Sequence, residues 1–465
     1  MVDIKRAMTL CFVISAFGFG MYKAWQQPEP AFGFRLPVIG PVLVQAVEEV
    51  KPPVRKKRRR FRRDDEPNVV IGRFDSHFAS SRLHVQTHAS SLVELKDGRV
   101  QAFWFSGSRE GASDVTINTA IFDPLRGEWG PEHVVASRSG TQRGLNRYVA
   151  KLGNPVAGRA ADGTLRLFYV TVSLGGWAGS SITMLSSNDD GETWSAPRRL
   201  ITSPFINIST LLKGTPFLYA DGTMGLPVYH ELFSKFAEIL HLDAAGNVID
   251  KQRLARAGQG TLQPVVLVKN TREALVLTRY AGKDNPHLAR SLSTEDGGEH
   301  WSEVQKSSFP NPDAALSATV MPDGRLLGVL NHQEQGRDSL SLMLSEDGGR
   351  NWKELHRLEE MRVVRDKKLE EKQCLHLVQG LLLNSDSRLA QVSEATLDEY
   401  VDSAKATVRA NGSCSFEFSY PYLIQARNGD FHLTYTWNRV FIKHVTFDQL
   451  WLNRHLKKVT DASQH

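Results

Sequence analysis

Six turn signals recur along this chain, and each lies between two apolar stretches of high β propensity. They are Asp97-Gly98, Asp162-Gly163, Asp221-Gly222, Asn270-Thr271, Asp323-Gly324 and Asn428-Gly429. Turns of this composition between strand-like segments are typical of β-hairpins. A hairpin cannot bury both of its faces alone, and radial packing of equivalent hairpins buries them together. The repeat therefore predicts an all-β fold, a six-bladed β-propeller.

A second repeat is independent of the first. Three segments share the pattern S/T-x-D-x-G-x-x-W: Ser187–Trp194, Thr294–Trp301 and Ser345–Trp352, with a degraded fourth copy at Phe122–Trp129. In such a turn the Asp bonds the turn backbone, the Gly takes a positive φ, and the Trp packs between neighbouring sheets. The pattern resembles the Asp-box of sialidases and other BNR-repeat proteins. The resemblance covers about residues 76–450 and implies a sialidase-like propeller.

The spacing of the hairpins also predicts where a ligand-binding site lies. If the six hairpins are equivalent, the residues eight positions past each turn end the same strand at the same height around the axis. We expect this ring to line the mouth of the central funnel, where a propeller binds its ligand. Its members are Ser106, Thr171, His230, Arg279, His332 and Trp437.

The N-terminal region differs in character from the rest of the chain. An uncharged stretch, Ala7–Tyr22, follows Lys5 and Arg6, so residues 1–23 are predicted to be a signal anchor. Residues 24–69 are predicted to be a Pro- and Arg/Lys-rich linker, and residues 70–455 the propeller. We expect a single-pass protein of the bacterial inner membrane with its propeller in the periplasm, or a secreted protein if the apolar segment is cleaved.

Charge and cysteine content narrow the function further. The net charge is +6, but residues 51–63 hold nine positive and no negative charges, which leaves −3 for the remainder. The basicity belongs to one short segment, so we expect no nucleic-acid partner. The three cysteines, Cys11, Cys374 and Cys414, show no metal-type spacing, and we expect no metal or other cofactor. A Cys374–Cys414 disulfide is allowed in an oxidising compartment.

One segment interrupts the repeat. Residues 358–412 are charged, contain helix-favouring runs and lack a hairpin signal. They predict a mostly helical insertion before the last blade, which serves either as a lid over the funnel or as surface decoration.

The pattern HASS, WFSGSREG, GNPV, LPVYHE, LQP, SYPYL and HLTYTW resembles a divergent bacterial group of predicted neuraminidases. Sialidases bind a carboxylate with three arginines, use a Tyr as nucleophile with a Glu beside it, and use a loop Asp as acid/base. The resemblance assigns carboxylate binding to Arg279 and Arg337, the nucleophile to Tyr420 and the acid/base to Asp114.

The chain departs from that pattern at two places. His88 stands at the position of the first arginine, and Leu262-Gln263 at that of the Glu. Glu231 is a candidate to replace the missing Glu as a catalytic residue. Further substrate-binding candidates, beside His88 itself, are Arg439, Glu110 and His230.

Three functions remain open at this stage. The first is an exo-glycoside hydrolase of sialidase type that cleaves a terminal acidic sugar from a glycan, because arginines bind carboxylates bidentately and a neutral Tyr nucleophile avoids repelling an anionic sugar. The second is a uronate-directed hydrolase or lyase that uses a His/Tyr pair. The third is a non-catalytic glycan-binding propeller. The expected partners are an acidic glycan and, through the N-terminal helix, the membrane.

Overall fold

The structure, a computed structural model, describes residues 2–25, 32–39, 72–80, 84–203, 207–410 and 412–462. Six antiparallel sheets follow one another along the chain, which confirms the predicted all-β six-bladed propeller. Each predicted turn joins the first and second strands of one blade. These turns therefore all lie at one end of the propeller, which we call the turn face. The opposite end is the site face.

The first three blades have these strands, from the axis outwards. Blade 1 is Gln86–Glu94, Val100–Gly107, Thr116–Asp123, and Glu128–Trp129 with His133–Ser137. Blade 2 is Lys151–Arg159, Leu165–Val172, Ser180–Ser187 and Arg198–Arg199. Blade 3 is Leu211–Leu212 with Phe217–Tyr219, then Met224–His230, Phe236–Leu242 and Val248–Arg253.

The last three blades follow the same plan. Blade 4 is Thr261–Val268, Ala274–Tyr280, Leu288–Thr294 and Gln305–Pro310. Blade 5 is Ser317–Val320, Leu326–Leu330, Ser339–Ser345 and Lys353–Glu360. Blade 6 is Phe418–Gln425, Phe431–Trp437, Phe441–Phe447 and, as its outermost strand, Phe74–Phe78 from the N-terminal side. The two ends of the propeller sequence therefore meet in one blade and close the ring.

The helices lie outside this repeat. They are Val2–Trp25, Arg138–Leu145, Glu371–Ser385, Glu394–Val408 and Gln449–Ala462, with 3-10 turns at Trp177–Gly179, Arg362–Val364 and Ser387–Gln391. The stretch Ile4–Tyr22 of the first helix is long and apolar enough to cross a membrane. Two of the helices, Glu371–Ser385 and Glu394–Val408, form the helical insertion predicted before the last blade.

The three turns with the pattern S/T-x-D-x-G-x-x-W share one set of hydrogen bonds. In the Ser345–Trp352 copy, the Ser345 hydroxyl donates to Asp347 and accepts from the Gly349 N–H, and Asp347 accepts from the Asn351 N–H. Burial alone would raise the pKa of Asp347, but these bonds outweigh it and lower the pKa to about 2.

The tryptophan of each turn contacts the preceding blade, as the pattern predicts. Trp194 packs edge-on against Phe103 of blade 1, with ring centroids 5.8 Å apart. Trp352 packs against Phe309 of blade 4 at 5.7 Å. These aromatic contacts bury the faces that single blades cannot bury alone.

Residues 32–39, within the segment predicted to be a linker, lie on the turn face, and we call them the strap. Phe34 pairs with Tyr219 of blade 3 and is fully buried. The strap borders a cavity of about 470 Å³ at the turn-face end of the axis, together with the inner strands of blades 2 to 6.

The buried side chain of Lys213 links two blades across the propeller axis. The Lys213 ammonium of blade 3 donates to the carbonyl oxygen of Pro421 in blade 6 at 3.0 Å and lies over the Tyr422 ring. Burial lowers the pKa of Lys213 to about 7.

Candidate active site

One residue near the site-face end of every inner strand has a left-handed backbone although it is not glycine. At this point the strand bulges, and the register of four of the six blades shifts around it. A positive φ is costly for such residues, and its repetition marks a functional position. The six residues are Ala89, Asn154, Ser209, Gln263, Asp313 and Tyr420.

Two arginines meet at Asp313. Arg279, at the site-face end of Ala274–Tyr280, donates through Nε to the Asp313 carboxylate at 2.7 Å. Arg337, on a loop of blade 5, donates through Nη2 to the Asp313 carbonyl oxygen at 2.8 Å. The backbone of Arg337 is itself held, because its carbonyl oxygen accepts from the Phe418 N–H at 2.7 Å. The structure thus brings both sequence-predicted arginines together.

A third arginine joins them through Glu417. Arg439 Nε lies 2.7 Å from Glu417 Oε2, and Arg337 Nη1 lies 3.3 Å from Glu417 Oε1. Burial alone would raise the pKa of Glu417, but the hydrogen bond from Arg439 and the charges of Arg439 and Arg337 lower it to about 2. Arg439 also pairs with Glu110 of blade 1 at 3.0 Å. Three guanidinium groups from blades 4, 5 and 6 therefore form one connected cluster.

His88 lies beside this cluster but does not carry its charge. Burial, and then the charge of Arg439, lower the pKa of His88 to about 4, so its ring is neutral at neutral pH. The ring packs edge-on against Tyr420 with centroids 4.5 Å apart. His88 therefore does not place a positive charge at the position of the first arginine. Arg439 supplies the third positive charge instead.

Tyr420 is half-buried between His88 and Gln263. The Gln263 amide nitrogen lies 3.5 Å from the Tyr420 phenol oxygen and 3.4 Å from that of Tyr229. The Gln263 amide oxygen accepts from Arg279 Nη1 at 3.3 Å. Burial lowers the pKa of the Arg279 guanidinium, but the nearby Tyr420 phenol and the Asp313 carboxylate outweigh burial and raise it. A neutral amide therefore stands where the resemblance implies a glutamate.

Glu231 lies on the Arg279 side of the cluster. Burial raises the pKa of Glu231, and the charge of Arg279 opposes that rise. Its N–H donates to the hydroxyl of Ser209, the left-handed residue of blade 3. This placement keeps the Glu231 carboxyl within the electrostatic reach of Arg279.

Asp114 shares a loop with Glu110 but makes its hydrogen bonds locally. Its carboxylate accepts from the Ser108 N–H at 2.9 Å and from the Ser108 hydroxyl at 3.0 Å. The side chain is exposed at the site face. Asp114 is therefore solvent-accessible on the loop whose Glu110 contacts Arg439.

His230 is not brought into the cluster. Its ring stacks on Phe236 with centroids 4.7 Å apart, and its charged neighbours are Lys251 and Arg253 of the outer strand. Of the ring predicted from turn spacing, Arg279 lies in the cluster, whereas Ser106, Thr171 and Trp437 are buried. Of the six left-handed residues, Asn154, Asp313 and Tyr420 are only half-buried, whereas the other three are buried.

The helical insertion supports the cluster from outside. The Thr407 hydroxyl, in Glu394–Val408, donates to the carbonyl oxygen of Asn438 at 2.7 Å, next to Arg439. The Asn438 side chain in turn accepts from the Glu417 N–H at 2.8 Å. A Cys374–Cys414 disulfide closes the base of the insertion.

Sequence reasoning missed Asp313, Glu417 and Tyr229 and treated Gln263 only as a departure. A signal for two of them exists: Gln263-Pro264 and Asp313-Ala314 occupy the same repeat position as Tyr420-Pro421 and Asn154-Pro155. Alignment of the inner strands on these dipeptides would have located the six left-handed residues.

Among the described residues, one group of side chains could ligate a cation. Asp296, Glu299 and His300 offer ligand atoms that all lie within 4.8 Å of one another, on a turn at the turn face. They are remote from the arginine cluster, whose carboxylates already pair with guanidinium groups.

Comparison with known proteins agrees with this architecture. A sialidase from Bacteroides fragilis is 25% identical over an alignment of 206 residues, and the match covers 38% of this chain and 35% of the sialidase. The Hadza microbial sialidase Hz136 superposes with a TM-score of 0.55 at 15% identity, covering 78% of this chain and 66% of that one. An intramolecular trans-sialidase from Ruminococcus gnavus, solved with oseltamivir carboxylate, has a TM-score of 0.53 at 13% identity, covering 79% and 95%.

The two structural likenesses establish the fold. The curated relative is matched over little more than a third of its length. Residues 98–433 match the family model of the BNR repeat-like domain, which is most of the chain. The chain therefore belongs to the BNR repeat-like family of the sialidase superfamily.

Proposed function

We propose that this protein is an exo-acting glycoside hydrolase of sialidase type that removes a terminal acidic sugar from a glycan. The observation that carries the proposal is the connected cluster of Arg279, Arg337 and Arg439 around Tyr420. Guanidinium groups recognise a carboxylate through paired N–H donors, and three of them in one cluster favour an anionic sugar.

In this proposal Arg439 takes over the role of the missing first arginine. The Arg439 carbonyl oxygen accepts from the Thr87 N–H at 2.8 Å, which holds its loop against the strand of His88. Arg439 also shares Glu417 with Arg337. The third cation thus comes from a loop of blade 6 instead of the first strand of blade 1.

Tyr420 is the proposed nucleophile. Its phenol oxygen would attack the anomeric carbon and pass its proton to the Glu231 carboxylate, while Asp114 donates a proton to the leaving oxygen as the glycosidic bond breaks. Water would then attack the anomeric carbon and give its proton to Asp114, and Glu231 would return a proton to the released phenol oxygen. Arg279 supports this step because a guanidinium beside the phenol stabilises the negative charge that develops on its oxygen. Glu231, close to Arg279, is the proposed auxiliary carboxyl group.

We place this activity outside the cytoplasm of a bacterium, at the inner membrane. The apolar N-terminal helix supports membrane attachment. The Cys374–Cys414 disulfide supports an oxidising compartment such as the periplasm.

The test is product release by the full-length protein from fluorogenic sialosides and uronides. We expect release from a sialoside that Tyr420→Phe and Asp114→Asn abolish. Tyr219→Phe is a matched control, because Tyr219 is a buried tyrosine at the turn face. Sialoside turnover that survives Tyr420→Phe would refute the assigned nucleophile.

A uronate-directed enzyme is a second candidate, and one contact favours it. The neutral His88 ring against Tyr420 is a His/Tyr pair of the kind that abstracts a proton beside a carboxylate. Release from uronides alone would select this candidate. Binding of an acidic glycan without turnover of either substrate would select a non-catalytic propeller.

A further inference from the structure

The strap is fixed to the turn face by backbone hydrogen bonds. The Phe34 N–H donates to the Thr271 carbonyl oxygen at 2.8 Å, and the Gly33 N–H donates to that of Gly297 at 2.9 Å. The Gly33 carbonyl oxygen accepts from the Ala220 N–H at 2.9 Å. These partners belong to turns of blades 3 and 4. The strap therefore lies on the face opposite the arginine cluster.

The membrane-type helix is close to the strap in sequence. It ends at Trp25, and the strap begins at Phe32. The six intervening residues can span about 20 Å when fully extended. Any membrane that holds the helix must therefore lie close to the turn face.

The site face is one strand length farther away. Ala274–Tyr280 runs from the turn face to the cluster over seven residues, which corresponds to roughly 23 Å. Arg279 lies at the far end of this strand. The length of the blades thus separates the arginine cluster from the attachment point.

The chain between the strap and the propeller also begins and ends at the turn face. It leaves at Ile39, which borders the turn-face cavity, and returns at Phe74, which pairs with Phe447 at the same end of blade 6. The intervening sequence includes residues 51–63 with their nine positive charges. Polybasic segments are attracted to anionic lipid headgroups.

We propose that the turn face is the membrane-facing surface of the propeller and that the arginine cluster opens away from the bilayer. The partner of this face is a lipid bilayer with anionic headgroups. A site in this orientation accepts glycans from the space beyond the membrane and does not reach headgroups of the bilayer that holds it. This inference depends on the helix lying in a membrane and is independent of the proposed hydrolase activity.

The test uses the full-length protein in vesicles of phosphatidylcholine and phosphatidylglycerol. Single cysteines for a donor fluorophore are introduced into a Cys11→Ser background. Leu125→Cys labels the turn face and Phe233→Cys the site face, and both native side chains are exposed, at 97% and 90%. Energy transfer to an acceptor-labelled lipid is then measured for each. We expect strong transfer from position 125 and its loss at position 233.

The control lengthens the tether. Insertion of a long Gly/Ser segment between Trp25 and Phe32 is expected to reduce transfer from position 125 towards the value at position 233. Equal transfer from both positions in the uninserted protein, or stronger transfer from position 233, would overturn the orientation. Recovery of the protein away from the vesicles would overturn it as well, because the helix would not be membrane-embedded.

Discussion

The side-chain amide of Gln263 lies 3.5 Å from the phenol oxygen of Tyr420 and cannot accept its proton. Its oxygen accepts from Arg279 instead. In Gln263→Glu a carboxylate would occupy this position, pair with Arg279 and remove the phenol proton. We predict that kcat rises by about tenfold or more, since general bases contribute about 10²–10⁴-fold, with little change in KM.

The matched control for this change is Gln263→Leu, which removes both hydrogen bonds without adding a base. Initial rates on the substrate identified in the screen measure both variants. A kcat of Gln263→Glu at or below that of the unsubstituted protein would contradict a role for position 263 beside the nucleophile.

Removal of the Arg439 guanidinium is predicted to weaken substrate binding. Arg439→Gln leaves Glu417 and Glu110 without their shared partner, so their charges would repel a carboxylate ligand. We expect KM to rise by about tenfold to a hundredfold, in line with the strength of charge-assisted hydrogen bonds. Isothermal titration with the free acidic sugar measures the effect directly.

A matched arginine is available for comparison. Arg427 pairs with Glu94 at the turn face, so Arg427→Gln removes an ion pair of similar kind away from the cluster. The double variant Arg439→Gln/Glu110→Gln should regain part of the lost affinity. If Arg439→Gln and Arg427→Gln behaved alike, Arg439 would have no special part in binding.

His88 is predicted to make the free energy of unfolding depend on pH below about 6.5. Its pKa is about 4 in the folded chain against 6.5 as the ordinary value. Between these values the unfolded chain binds a proton that the folded chain does not, so the free energy of unfolding falls as pH falls. The full contribution, present above pH 6.5, is roughly 3 kcal/mol and is lost by about pH 4.

Urea unfolding of the unsubstituted protein and of His88→Gln between pH 4 and 7 tests this. Other buried histidines, such as His432, contribute to the slope in both proteins. The informative quantity is therefore the difference between the two curves. Parallel curves would show that the fold does not lower the pKa of His88.

Lys213 is predicted to make the free energy of unfolding depend on pH between about 7 and 10.5. Its pKa is about 7 in the folded chain against 10.5 as the ordinary value. Between these values the unfolded chain carries the extra proton, so stability rises with pH, by roughly 5 kcal/mol over the whole interval. Lys213→Met should lose this rise.

The free energy of unfolding at pH 6.5, 8 and 9.5 measures the effect. Lys353→Met is the control, because Lys353 is a surface lysine paired with Glu346. The control should follow the unsubstituted protein. A rise that persists in Lys213→Met would assign it to another group.

Local patterns were sufficient to predict the blades. Asp97-Gly98 and the five equivalent turns reflect chemistry within a few residues, as does the bond from Ser345 to Asp347. The site contains the pair Arg439 with Glu110, 329 residues apart, and the propeller axis contains the pair Lys213 with Pro421, 208 apart. No local pattern encodes these contacts, because they arise only when the ring closes.

The neutral state of His88 has a similar origin. A histidine in THASS is compatible with a charged ligand-binding group as long as its surroundings are unknown. Burial against Tyr420 and proximity to Arg439 remove that charge. Phe34 likewise lies in a Pro-rich segment without periodicity, and its pairing with Tyr219 depends on a surface formed about 185 residues later.

The strap has a mechanical consequence. A pull on the N-terminal helix reaches the hydrogen bonds of Gly33 and Phe34 before it reaches Phe74–Phe78, the strand that closes blade 6. The hydrogen bonds of the strap can break while the Phe74–Phe78 strand stays paired with Phe441–Phe447. Tension from the membrane therefore acts first on the hydrogen bonds of the turn face. The Phe74–Phe78 strand, which closes the blade that carries Tyr420 and Arg439, is not loaded until those bonds have broken.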